Sequence, residues 1–176
     1  NFYSGLDADG TRGTRSWQNN TAAAGHSSIV WPWTGYYSVL SSANDVLNAI
    51  RVGKIVINNA SDTKRAEAVA LLMRGAALGN LALEYDKGYI VDETTDLATL
   101  AYSNRKLMRD AALADLVAAA ALAKANAFTT PAAWTNGTGY SNTQIAQIAN
   151  TMAAMLLANW PRTAAENGQV AWATVA

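Results

Sequence analysis

The chain has 176 residues, enough for one domain with a substantial apolar core, and its 13 basic and 13 acidic side chains cancel at neutral pH. A balanced charge provides no general attraction for nucleic acid or for an anionic membrane surface. The sequence has no cysteine, which excludes disulfides and thiolate chemistry, and it has one histidine, His26. Any acid–base catalysis would therefore depend on carboxylates.

The first part of the chain, residues 1–30, is rich in Gly, Ser, Thr and Asn and shows no sustained periodicity. This composition predicts an irregular lead-in that packs on a helical domain formed by residues 31–176. From residue 31 onward, apolar side chains recur at steps of three and four, which is typical of one helix face. The pattern predicts a first helix over residues 34–50, with these core positions: Tyr36, Val39, Leu40, Ala43, Val46, Leu47 and Ile50.

A second helix is expected to begin after a cap at Ser61 or Asp62 and to end near Tyr85. Gly75 and Gly79 lie within it, where each costs about 1 kcal/mol relative to alanine. We therefore expect a neighbouring helix to approach closely at these glycines. The apolar stripe of this helix comprises Ala66, Val69, Leu72, Met73, Ala76 and Leu83.

Residues 104–125 are strongly helical by propensity and predict a third helix. Ser141 with Gln144 forms a capping-box pattern that opens a fourth helix, which Pro161 ends. Thr163 with Glu166 repeats that pattern. The candidate core positions of helices three and four are Leu107, Met108, Ala111, Leu116, Val117, Ala120, Ile145, Ile148, Met152, Met155 and Leu156.

The last predicted helix, the fifth, is short and contains Val170 and Trp172. Residues 55–57 are the one candidate for a short extended piece, because no longer segment shows clean two-residue alternation. The sequence therefore predicts an all-α fold of antiparallel helix pairs with a loop-rich N-terminal segment.

The last third of the sequence is poor in charge, because Arg162 and Glu166 are the only charged side chains after residue 125. Helices that face solvent usually carry more. Two explanations stay open: a polar face rich in Gln, Asn and Thr, or a surface covered by a partner or by further chain.

Four strings resemble the helical part of the SusD/RagB-like outer-membrane nutrient-uptake lipoproteins. They are WPWTGYYSVLSSANDVLNAI (31–50), RAEAVALLMRGAALGNLALEYDKGYIVDETTD (65–96), ALADLVAAAALAKANAFTTPAAW (112–134) and IAQIANTMAAMLLANWPRTAAENGQVAWATV (145–175). The matching residues in the first two are Tyr37, Ala43, Asn44, Leu47, Glu67, Arg74, Leu81 and Tyr85. The resemblance covers nearly all of residues 31–175 and rests on helix-packing signatures.

What the resemblance implies is a tetratricopeptide-like helical scaffold, held outside the cell by a lipidated N-terminus. Such a scaffold captures a glycan or peptide and sits on a TonB-dependent transporter, associated with the outer membrane or in the periplasm. Family chains are longer, so we expect the larger C-terminal part to be missing, and the first residue is not the lipidated cysteine. The alternative is a structural accessory subunit on the periplasmic or outer face of a multi-protein membrane complex, with no small-molecule ligand.

Loop tryptophans are the candidate ligand contacts. An aromatic ring offers flat apolar area for the C–H face of a sugar, and loops carry binding residues more often than the elements they connect. On this basis we single out Trp17, Trp33 and Trp134, with core packing as the ordinary alternative.

No catalytic, metal or cofactor site stands out. An acidic loop (Glu84, Asp86, Asp92, Glu93 and Asp96) has the oxygen ligands that Ca²⁺ prefers, but a solvated loop is the more ordinary explanation. No spacing favours a pair of glycosidase carboxylates, so we expect a protein that is not an enzyme. The most continuous apolar stretch, 116–123, is shorter than the roughly 20 residues of a spanning helix, so we expect no transmembrane segment.

Overall fold

A computed structural model describes residues 27–174 of the chain. Within that range the five α-helices are α1 (Ser27–Leu47), α2 (Ala60–Glu84), α3 (Arg105–Ala125), α4 (Asn142–Asn159) and α5 (Ala164–Asn167). Two short strands, β1 (Lys87–Gly88) and β2 (Ser103–Asn104), pair antiparallel between α2 and α3. The all-α prediction is confirmed. The finer tetratricopeptide-like arrangement stays a prediction.

The helices pack in chain order, with α2 between α1 and α3, and α3 between α2 and α4. Because α2 is contacted from two sides, it buries apolar residues around most of its circumference. The largest fully buried side chains of the core are Leu40, Leu47, Leu71, Leu81, Met108 and Leu116.

Small residues bring α2 and α3 together. A Cβ built on Gly75 would lie 2.9 Å from Cγ of Leu116, and one built on Gly79 would lie 3.1 Å from Cδ2 of Leu156 on α4. On the facing side of α3, Ala112 is fully buried. The close approach that the two glycines predict is therefore confirmed.

The predicted start of the first helix is wrong, because α1 begins at Ser27, inside the segment predicted to be irregular. Pro32 lies in the second turn, where a proline removes a single backbone hydrogen bond and the helix continues past it. The first turn is held from outside, since the Tyr85 hydroxyl donates to the Ile29 carbonyl at 2.5 Å. At its other end α1 runs into a wider π-helical turn, Asn48–Val52.

The predicted cap of the second helix is also wrong by two to three residues. Asn59 is the N-cap of α2, and its side chain accepts a hydrogen bond from the backbone N–H of Asp62 at 2.9 Å. Ser61 has a different partner, since its hydroxyl donates to the carbonyl of Ala127 at 2.8 Å. The third helix begins one residue later than predicted, at Arg105, because Asn104 is its cap, and it ends at Ala125 as predicted.

The capping box of the fourth helix is confirmed at Ser141 and Gln144. The fifth helix is capped by Thr163 as predicted, but it is only four residues long. Val170 and Trp172 lie outside it, Trp172 in a separate 3₁₀ turn. The helix ends at its C-cap, Gly168, whose N–H donates to the carbonyls of Ala164 and Glu166. At its start, the Glu166 carboxylate accepts a hydrogen bond from the backbone N–H of Arg162 at 2.7 Å.

Several predicted core residues are instead exposed: Val46, Met73, Leu107, Val117, Met152 and Met155. Helical periodicity identifies an apolar arc but not how wide an arc the neighbouring helices cover. The exposed residues lie on all four longer helices, on the parts of each apolar arc that the neighbouring helices leave uncovered. Residues 55–57, which belong to the described part of the chain, form no strand.

Trp17 and most of the predicted lead-in lie outside the described residues. Among those described, α2 alone is long and apolar enough to cross a membrane, and 72% of its most apolar window is buried in the fold. The core helix of a helical bundle passes the same test, so the absence of a spanning segment stays a prediction.

Candidate functional site

A buried polar network connects three helices with the loop that joins α2 to α3. Arg74 on α2 donates from Nε and Nη2 to the two carboxylate oxygens of Asp115 on α3, each at 2.7 Å. Its Nη1 donates to Asn44 on α1 at 2.9 Å and to Glu93 in the loop at 2.5 Å. The other Glu93 oxygen accepts from Arg51 Nη1 at 2.7 Å. Helices α1, α2 and α3 therefore meet at one guanidinium.

The electrostatics of this network favour its charged form. Burial alone lowers the pKa of Arg74, but hydrogen bonds and charges from Asp115 and Glu93 outweigh burial and raise that pKa above its ordinary value. Burial raises the pKa of Glu93, but hydrogen bonds from Arg51 and Arg74 hold it below its ordinary value. The side chains of Arg74 and Glu93 are only 8% and 9% exposed, so removing one partner leaves a poorly solvated charge.

The α2–α3 loop is also fixed along α1 by side chains that bond to its backbone. Asn44 Nδ2 donates to the Val91 carbonyl at 3.0 Å, and Asn48 Nδ2 donates to the Glu93 carbonyl at 3.2 Å. The Tyr37 hydroxyl donates to the Tyr89 carbonyl at 3.0 Å and accepts from the Tyr89 N–H at 2.5 Å. A loop held in this way presents its own side chains in defined positions.

Aromatic rings extend from α1 across this loop. Tyr89 and Tyr102 stack with centroids 4.2 Å apart and an interplanar angle of 20°, and Tyr102 is 60% exposed. Tyr37 and Trp33 lie edge-on to Tyr89, at 6.3 and 6.4 Å. We call the four rings of Trp33, Tyr37, Tyr89 and Tyr102 the aromatic surface.

The predicted ligand contacts do not form one site. Trp33 is partly buried and packs against Tyr37 at 4.7 Å and Tyr85 at 5.0 Å. Trp134 is 51% exposed and stands beside Arg65, near the opposite end of α2. From Arg65 to Tyr85 is twenty residues, about 30 Å along a helix. Trp33 and Trp134 therefore cannot contact one small ligand together. A ligand contact at either tryptophan stays a prediction.

Sequence reasoning missed Tyr89 and Tyr102. Gly88 of β1 pairs with Ser103 of β2. Tyr89 follows Gly88 and Tyr102 precedes Ser103, so the two tyrosines lie at the same end of the strand pair. Strands of two residues leave no alternation to detect, so the only available signal was the tyrosine at each end of one loop.

A second surface lies between α1 and α2. It is a groove of about 490 Å³, lined mainly by apolar side chains, among them Val39, Val46, Val69, Met73 and Trp134. Among the described residues that line it, the two charged ones, Asp62 and Arg65, pair with each other at 2.8 Å. We call it the α1/α2 groove.

The acidic loop residues do not converge. Asp86 pairs with Arg162, Glu93 is part of the buried network, and Asp92 accepts bonds from Thr94 and Thr95. Among the described residues no group of three or more His, Asp or Glu is placed to hold a metal ion. The calcium alternative has no support in this loop.

Comparisons with protein-family models, with curated proteins and with solved structures gave no match.

Proposed function

We propose that this chain is the helical portion of an extracytoplasmic binding protein of the SusD/RagB kind, which captures a neutral glycan and stands on a membrane transporter of the TonB-dependent class. In this proposal the helices are the support, the α2–α3 loop carries the glycan contact, and no step of chemistry takes place on the protein. The single observation that carries the glycan site is the stacked pair of Tyr89 and Tyr102, of which Tyr102 is 60% exposed.

The support for a SusD/RagB relation comes from the residues on which the resemblance rests. Asn44 and Arg74 lie thirty residues apart in the sequence and are hydrogen-bonded to each other in the core. Tyr37 and Tyr85, also matching residues, bond to backbone atoms of Tyr89 and Ile29. The matching positions therefore work together in joining α1, α2 and the loop, as members of one packing motif should.

The aromatic surface suits a sugar ring for two physical reasons. Tyr102, which stacks on Tyr89 and is 60% exposed, leaves its outer face as a flat apolar area that a pyranose can cover with its C–H face, and phenolic hydroxyls at the edge can bond sugar hydroxyls. The loop that carries the rings is already fixed to α1, so binding orders little additional chain. The site is neutral in its rings, which fits a neutral ligand.

The test is titration calorimetry of the full chain against a panel of neutral α- and β-linked polysaccharides and their oligosaccharides. We expect saturable binding to at least one, and a Tyr102→Ala variant should weaken it by about 3–10-fold, the value of one stacking contact. Trp31→Ala is the matched control, because Trp31 on α1 is 59% exposed, almost the same as Tyr102. Absence of saturable binding across the panel, or equal losses in the two variants, would contradict the proposed glycan site.

One observation favours the second function, a structural subunit of a membrane complex. Helix α4 has no charged residue over its whole length, and it exposes Met152 and Met155, a kind of side chain common at protein interfaces. A photo-crosslinking residue at Met155, compared with one at the exposed Ala121 on α3, tests this function in the native membrane. Crosslinks to one protein from position 155 alone, together with no glycan binding, would favour the subunit.

A further inference from the structure

We infer that the polar groove between α1 and the α2–α3 loop is a second subsite of the proposed glycan site, in which Asp45 binds neighbouring hydroxyls of a further sugar and repels acidic sugars. The inference rests on the proposed function, because it concerns the same glycan chain. We call this groove the α1/loop groove. Its position, its free polar groups and its charge each support the assignment.

The α1/loop groove adjoins the aromatic surface. Its volume of about 350 Å³ lies within the range of small-ligand sites, and Tyr37 belongs both to its wall and to the aromatic surface. From Tyr37 the rings continue to Tyr89 at 6.3 Å, and from Tyr89 to Tyr102 at 4.2 Å. A glycan with one ring on the outer face of Tyr102 can therefore continue past Tyr37 into the groove.

A polar stripe of α1 forms one wall of this groove. Tyr37, Ser41 and Asp45 follow one another at steps of four residues, so they lie on one face of the helix. The loop forms the opposite wall, and its backbone is held by hydrogen bonds from the side chains of Asn44 and Asn48. Both walls are therefore in place before a ligand binds, and binding orders little additional chain.

Two polar groups of the stripe are free to bind a ligand. Within residues 27–174, neither the Ser41 hydroxyl nor the Asp45 carboxylate makes a hydrogen bond or an ion pair, and both residues are exposed. Glu93, in contrast, is already bonded to Arg51 and Arg74. A carboxylate can accept two hydroxyl hydrogens at once, and such charge-assisted bonds are about twice as strong as neutral ones. Asp45 is therefore placed to bind two neighbouring hydroxyls of one sugar ring.

The charge of the groove selects against acidic sugars. Asp45 and Asp92 both line it, and in the part of the chain that the structure describes neither forms an ion pair. None of the described lining residues is a lysine or an arginine. A uronate or a sulfate in the groove would face these carboxylates without a cation beside it, and binding sites use such repulsion to reject a wrong ligand. The ligand class that fits is a neutral glycan of more than one ring, with free neighbouring hydroxyls.

Calorimetry of the full chain with matched hexasaccharides tests the second subsite. The probes are maltohexaose, cellohexaose and mannohexaose, together with the tightest binder of the three after its primary alcohols have been oxidised to carboxylates. We expect the oxidised form to bind at least about tenfold more weakly than the neutral form. Asp45→Asn should weaken binding of the neutral form by about tenfold and should narrow the difference between the two forms.

Two control variants separate the groove from general effects. Ser41→Ala should weaken the neutral hexasaccharide by about threefold, the value of one neutral hydrogen bond. Ser42→Ala should leave the affinity unchanged, because Ser42 is also exposed but lines the α1/α2 groove. Asp110→Asn removes the same charge from α3 and should also leave the affinity unchanged.

Failure of the second subsite differs from failure of the glycan function. If none of the three hexasaccharides binds, the glycan function is contradicted and the second subsite is overturned with it. If one binds and Tyr102→Ala weakens it, but Asp45→Asn and Ser41→Ala do not, only the second subsite is overturned. An equal loss from Asp110→Asn and Asp45→Asn overturns it too, because the effect would then be one of net charge. Equal affinity for the oxidised and neutral forms overturns the selection against acidic sugars.

Discussion

Two glycines in one helix should respond oppositely to the same substitution. Gly75 and Gly79 both lie in the interior of α2, where alanine is favoured over glycine by about 1 kcal/mol. What differs is the atom that the new methyl group meets. At Gly75 a Cβ would lie 2.9 Å from Leu116 Cγ and 3.0 Å from the Ala112 carbonyl oxygen. The Ala112 carbonyl belongs to the backbone of α3 and can move only with that helix.

At Gly79 the contact is softer. The nearest atom is Cδ2 of Leu156 at 3.1 Å, the end of a flexible side chain, and the next is Cβ of Ala112 at 3.7 Å. Overpacking of a core costs about 1–3 kcal/mol, and more when backbone must move. We therefore expect Gly75→Ala to destabilise the fold by about 1–2 kcal/mol and Gly79→Ala to stabilise it by up to about 1 kcal/mol.

Equilibrium urea unfolding of the two variants measures this difference directly. Ala76→Gly, at a partly buried site between them in the same helix, gives the size of the propensity effect. Stabilisation of both glycine variants by a similar amount would refute the reasoning, because it would mean that α2 and α3 are not in contact at Gly75.

Three other predictions follow from the polar contacts. Arg74→Met should destabilise the fold by about 3–5 kcal/mol in urea unfolding, since it leaves Glu93 and Asp115 without their cation. Ser141→Ala should cost about 1 kcal/mol by the same measurement, because it removes the cap of α4. The pKa values of Glu67 and Glu93 lie below the ordinary 4.5, so the unfolded chain binds protons more tightly. The stability that these two carboxylates contribute to the fold is complete above about pH 4.5 and is lost as the pH falls through their lowered pKa values. Glu93→Gln should therefore make the free energy of unfolding less dependent on pH in that range.

Local features of the fold were predictable from the sequence, because their signals lie within one turn of chain. The capping box at Ser141 and Gln144 is confirmed, and so is the close approach at Gly75 and Gly79. The start of α1 was not predictable, since it depends on Tyr85, which bonds to the first turn from 56 residues away.

The buried network was beyond sequence reasoning for the same reason. Arg74 lies 19 residues from Glu93 and 41 residues from Asp115 in the sequence. Each of the three is an ordinary charged residue within its own segment. Glu93 was instead grouped with the acids around it as a candidate calcium loop. Only the packing of α1, α2 and α3 shows which cation each carboxylate meets.

The exposed faces of α1 and α4 show the other limit. Apolar periodicity predicted Val46, Met152 and Met155 as core, and the pattern itself is real. Whether an apolar stripe is covered depends on what lies beside the helix, which the stripe does not encode. The same information decides between the two explanations for the charge-poor last third, an exposed polar face or a surface covered by a partner or by further chain.

The two charges of that last third both point back into the fold: Arg162 binds Asp86, and Glu166 binds Arg105. These two ion pairs hold the segment after α4 to the start of the α2–α3 loop and to the first residue of α3. Helix α4 itself has no charged side chain, so its outer face offers no charge for recognition of a partner. Association through that face would therefore hardly change with ionic strength, and it would carry the negative heat-capacity change of apolar desolvation.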